Sequence, residues 1–97
     1  MDVALLDNCL QLLKLDLGIT HNLRDAYFNN ILKTALMELS KMGVDLSKGD
    51  VEDIQLIVDY AAWQYRKRQE DVGLPRNIKF RINNRVIQKV GGTNAKP

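Results

Sequence analysis

Apolar positions recur every three or four residues along most of the chain, which is the spacing of helices with one buried face. From Asp2 to about Asp16, Leu6, Cys9, Leu10, Leu13 and Leu17 fall on one side of a helix. Asp2 is placed to cap its start and Gly18 its end. A second helix is expected from Thr20 or Asn22 to about Met42. It would carry Leu23, Tyr27, Phe28, Ile31, Leu32, Ala35, Leu36, Leu39 and Met42 over nearly half its circumference. So wide an apolar face suits packing against two neighbours. Asn22 followed by Asp25 resembles a capping box with the shorter acid, and Gly43 stops the helix.

The third helix is expected from Asp50, with Asp53 three residues on, to about Asp71. At 100° per residue, Ile54, Ile57, Val58, Ala61 and Tyr65 share one side, and Leu56, Tyr60 and Trp63 the opposite one. Two apolar stripes admit two readings. Either the helix lies centrally and buries both, or the Leu56, Tyr60 and Trp63 stripe is a subunit interface. Gly73-Leu74-Pro75 then ends the helix, because proline disfavours the helical conformation of the residue before it.

Residues 78–90 also read in two ways. Ile78, Phe80 and Ile82 alternate with Lys79 and Arg81 as in a strand, with Asn83-Asn84 as a hairpin turn. At helical spacing, Ile78, Ile82, Val86 and Val90 make an i, i+4 row with Asn77 as cap. The helix is favoured, since a lone two-stranded hairpin is only marginally stable. The expected fold is all-α: a single domain over residues 1–90, a bundle of three to four helices, with a flexible tail at 91–97.

A chain of 97 residues buries one modest core. The acids and lysine that interrupt its first apolar stretch argue against a signal peptide or membrane span. A single cysteine, Cys9, leaves no internal disulfide, and a single histidine, His21, leaves no zinc ligand set. Asp50, Glu52 and Asp53 cluster where the helix macrodipole favours acids. Ser47-Lys48-Gly49-Asp50 lacks the flanking glycines of a phosphate loop. No catalytic, cofactor-binding or metal residues emerge, and the chain reads as a structural protein rather than an enzyme.

Charge is divided along the chain. Residues 1–65 hold five basic side chains against ten acidic ones, and residues 66–97 hold nine against two. A candidate basic contact surface comprises Arg66, Arg68, Arg76, Lys79, Arg81 and Arg85. Such a division suits contact with a polyanion, head-to-tail packing of an acidic face on the basic face of another copy, or simply a solvated basic helix end.

Three stretches carry a family resemblance. They are Leu12-Leu13-Lys14-Leu15-Asp16-Leu17-Gly18-Ile19, Asp59-Tyr60-Ala61-Ala62-Trp63-Gln64-Tyr65-Arg66-Lys67-Arg68, and Leu74-Pro75-Arg76-Asn77 leading to Arg81-Ile82-Asn83-Asn84-Arg85-Val86-Ile87. In order and spacing they resemble the head-tail connector, or adaptor, family of tailed bacteriophages, also described as DNA-packaging proteins. Where relatives often carry Met before the proline, this chain has Leu74, a volume-conserving change. The resemblance implies a helical subunit of a ring of about a dozen copies beneath the portal protein. It implies contact with tail-proximal connector proteins and non-specific proximity to DNA in the channel. It further implies synthesis in the bacterial host cytoplasm and residence in the virion, with no cofactor and no membrane. The runner-up reading is a small dimeric helical DNA-binding regulator.

Overall fold

The computed structural model of the chain describes residues 3–70 and 73–94, with side chains described over 4–67 and 73–87. Four helices follow one another: α1 (Val3–Leu17), α2 (Asp25–Lys41), α3 (Val51–Glu70) and α4 (Arg76–Asn94). The fold is all-α, as the periodicity predicts, and residues 78–90 are helix rather than hairpin. α4 continues past residue 90 to Asn94. Asp2, Asp71 and residues 95–97, to which the sequence assigned a cap, a helix end and part of the tail, lie outside the described residues.

The first two helices end in the same way. At Gly18 (φ 75°) the amide donates to Leu15 O at 3.2 Å, and the Ile19 amide donates to Lys14 O at 2.8 Å. At Gly43 (φ 95°) the amide donates to Ser40 O at 3.0 Å, and the Val44 amide donates to Leu39 O at 3.1 Å. Both patterns are Schellman motifs, in which a left-handed residue that favours glycine lets the chain satisfy its last helical carbonyls. Val44 is buried and packs in the same core as Leu39, so the second stop also turns the chain back onto the bundle.

The start of α3 is capped as its sequence suggests, since the Asp53 amide donates to Asp50 Oδ1 at 2.9 Å. The start of α2 is not. Its first turn follows Arg24, with no side-chain cap. Asn22 and Asp25 instead accept hydrogen bonds from the Lys14 ammonium, at 2.7 Å and 2.9 Å. The expected capping box is thus corrected. A buried lysine from α1 needs both oxygens, because a desolvated ammonium must be matched by acceptors.

α3 lies at the centre and packs against α1, α2 and α4, while α1 and α2 also meet one another. The core joins Cys9, Leu10 and Leu13 of α1 with Phe28, Ile31, Leu32, Ala35 and Leu39 of α2. Both stripes of α3, together with Ile78 and Ile82 of α4, complete it. α4 rests chiefly on α3. Arg81 meets Asp59 and Arg85 meets Asp53, so the two helices run antiparallel. A compact chain of this length would have a radius of gyration of about 12.5 Å. Here it is 14.2 Å, with extents of 52 × 31 × 18 Å. The chain is elongated.

Candidate functional site

The Leu56, Tyr60 and Trp63 stripe lies largely inside the single chain. Leu56 and Tyr60 are buried in the core, and Trp63 is half-buried against it. Of the two readings open in the sequence, central burial describes Leu56 and Tyr60, which both lie in the core of the single chain. The Tyr60 hydroxyl donates to Glu38 Oε1 at 2.8 Å, and Gln64 donates to the same oxygen at 2.7 Å. Burial, and then the Glu38 carboxylate, push the Tyr60 phenol well above its ordinary range. The Trp63 ring packs edge-on to Tyr60 at 5.2 Å, and its indole donates to Gly73 O at 3.0 Å. The Lys67 ammonium sits 5.1 Å from its centroid. Trp63 thereby ties the end of α3 to the connection leading into α4.

The basic stretch is partly neutralised within the chain. Arg66 pairs with Asp16 at 3.3 Å, both exposed, a contact of small energetic weight. Arg81 donates to Asp59 at 2.7 Å. Arg85 donates to the buried Asp53 carboxylate and, at 2.9 Å, to Asp45 O. Arg81 and Arg85 therefore serve the fold, because α4 docks its basic flank on the acidic side of α3. Arg76 and Lys79 are exposed and form no ion pair among the described residues. The side chain of Arg68 lies outside the described residues.

α4 has a second face that the sequence reading missed. Ile78 and Ile82 point into the core, while Phe80 (68% exposed) and Ile87 (67% exposed) stand in solvent. At 100° per residue Phe80 and Ile87 fall within about 20° of one another and opposite Ile78. Arg76 lies about 40° from Phe80, and Lys79 about 100° from it on the same flank. The signal was present as soon as residues 78–90 were read as helix, since Phe80 cannot share the face of Ile78 and Ile82.

A third surface lies at the start of α3. Val51 is 75% exposed and is flanked by the exposed acids Asp50 and Glu52. Val51, Glu52 and Gln55 of α3 and Arg81 and Asn84 of α4 wall a groove of about 470 Å³ between the two helices. A separate groove of about 510 Å³ between α2 and the second half of α3 is lined by Tyr27, Thr34, Glu38, Gln64 and Lys67.

Cys9 is buried, and its thiol is pushed above the ordinary range by desolvation. His21 is exposed, and its ring nitrogen accepts the Leu23 amide at 3.3 Å. Among the described residues there is no cluster of three or more His, Cys, Asp or Glu placed to hold a metal, and no helix is long and apolar enough to cross a membrane. Two surface features stand out: an apolar row with the exposed cations Arg76 and Lys79 on α4, and an acid-flanked apolar edge with a groove on α3. No family model, curated protein or solved structure matches the chain.

Proposed function

We infer that the chain is a structural head-tail connector subunit of a tailed bacteriophage, a helical adaptor that joins a ring beneath the portal protein and links capsid to tail around the DNA channel. The observation that carries this reading is the double-faced α4. One side is anchored in the core by Ile78 and Ile82, and the other presents Phe80 and Ile87 to solvent. An exposed apolar row on a helix that is already packed is suited to burial by another macromolecule. Three sequence stretches that resemble the adaptor family point to which assembly that is. In this role the portal and the tail-proximal connectors are the partners, and the chain does its work in the virion by contact alone.

The alternative, a small DNA-binding regulator, would need its cations for phosphates. The pairing of Arg66, Arg81 and Arg85 with Asp16, Asp59 and Asp53 favours the connector instead. Sedimentation of the purified chain with and without duplex DNA separates the two. The connector reading expects a closed species of about a dozen subunits, or a chain indifferent to DNA that assembles only on the portal. A dimer that binds duplex DNA with steep salt dependence would overturn it.

A further inference from the structure

Two surfaces of the chain are complementary to one another but stand apart on the same molecule. The first is convex: Phe80 projects from the outer row of α4, with the exposed cations Arg76 and Lys79 on one flank, neither in an ion pair among the described residues. The second is concave: the groove of about 470 Å³ at the start of α3, with Val51 and Glu52 on its wall and exposed Asp50 beside it. Each has an apolar centre; Arg76 and Lys79 flank the first and Glu52 and Asp50 the second, whose wall arginines Arg81 and Arg85 are already paired with Asp59 and Asp53. Charge pairs between such flanks select a partner and fix its register more than they add raw affinity.

The two cannot meet within one chain. α3 and α4 run antiparallel, with Arg85 at Asp53 and Arg81 at Asp59. Val51 therefore lies near the later turns of α4, while Arg76 and Phe80 belong to its first two. On α4 itself the groove is walled by Arg81, Asn84 and Arg85, and Phe80 is not among its lining residues. We propose that Phe80 of one copy seats beside Val51 in the α3–α4 groove of a second copy, with Lys79 and Arg76 set against the second copy's Glu52 and Asp50. The occupant of the groove is thus another copy of this chain. The groove is large enough for a phenyl ring, and the Arg81 guanidinium on its wall offers the ring a cationic neighbour. Because the two surfaces differ, the contact is heterologous and passes from copy to copy, closing if the rotation allows. The inference rests on the connector reading, to which it adds the residues through which subunits meet.

The test uses the chain in five forms: wild type, Phe80→Ser, Lys79→Glu, Glu52→Lys and the double variant Lys79→Glu/Glu52→Lys. All three positions are exposed, so circular dichroism and thermal melts should be unchanged. Sedimentation equilibrium at low and moderate salt should show concentration-dependent association beyond a dimer for wild type. Phe80→Ser and each single charge reversal should weaken it by about tenfold or more, the scale of a central contact residue. The double variant should recover to within about threefold of wild type, because the pair is restored in the opposite sense. A wild-type chain that stays monomeric at every concentration overturns the inference. So does association insensitive to Phe80→Ser, or a double variant no better than the singles. If Lys79→Glu abolishes binding to duplex DNA and leaves self-association intact, the cations are phosphate contacts and the inference fails. Self-association through some other surface overturns the inference while leaving the connector reading in place, and a DNA-binding dimer removes the connector reading itself.

Discussion

The Arg85 guanidinium of α4 reaches the carboxylate of Asp53, which lies in the first turn of α3 and is 0% exposed. Asp53 also accepts the Gly49 amide at 2.9 Å, and Arg85 also donates to Asp45 O at 2.9 Å. One buried pair therefore fixes three things together: the start of α3, the connection before it and the later turns of α4. It sits where α4 has little other support, since that helix rests chiefly on α3.

Arg85→Ala should accordingly cost about 3 to 5 kcal/mol, because it leaves the Asp53 carboxylate buried without a cation. For a domain of this size that is a fall in Tm of at least about 12 °C. Combining Arg85→Met with Asp53→Asn should cost less than the sum of the two single changes, with a coupling of at least about 1 kcal/mol. Chemical denaturation of the four proteins measures this. Simple additivity would show the pair to be energetically idle.

Lys14 holds α1 to the loop and first turn of α2 through Asn22 and Asp25. Lys14→Met keeps the buried stem but removes the donor. It should cost roughly 1.5 to 3 kcal/mol, the range for hydrogen bonds to charged groups. Amide exchange should show the loss concentrated in residues 19–28. A loss spread evenly over the chain would mean that Lys14 matters for packing alone.

The Tyr60 phenol is held above its ordinary value of 10.0 by burial and by Glu38. The folded state thus keeps a proton that the unfolded chain gives up. Stability contributed by this group is complete below about pH 10 and is lost as pH rises above it. Alkaline difference spectra between wild type and Tyr60→Phe should show no Tyr60 phenolate at pH 10 in the folded protein and a normal rise in denaturant. Phenolate formation at pH 10 in the native state would contradict the burial and the Glu38 contact.

Neighbouring positions on α4 should behave oppositely. Ile82→Ala removes a buried side chain and should cost about 2 to 5 kcal/mol, whereas Phe80→Ser alters an exposed one and should change stability by no more than about 0.5 kcal/mol. Thermal melts of the two variants decide which face of α4 meets the core. Equal losses would place both residues inside.

Much of this architecture was legible in the chain. Three- and four-residue spacing located the first three helices, the fourth was favoured over a hairpin only because a lone hairpin is marginal, and Gly18 and Gly43 marked two of the ends, because local geometry alone determines those stops. What failed was non-local. Asn22 and Asp25 have the spacing of a cap, and only the placement of Lys14, eleven residues before Asp25, turns them to another use. The basic stretch was visible as charge, but its pairing with Asp53 and Asp59 depends on α4 docking antiparallel to α3. The same docking leaves Phe80 and Ile87 outside. Periodicity specifies which residues share a face, and packing decides which face is buried.

The central proposal, that the chain joins head to tail, is tested most directly in a tailed phage that carries its coding sequence. The coding sequence is disrupted, and the particles made after infection or induction are counted by electron microscopy. The account predicts DNA-packaging heads and finished tails accumulating separately, with joined particles restored when the chain is supplied in trans. Normal numbers of joined, infectious particles in its absence would contradict it.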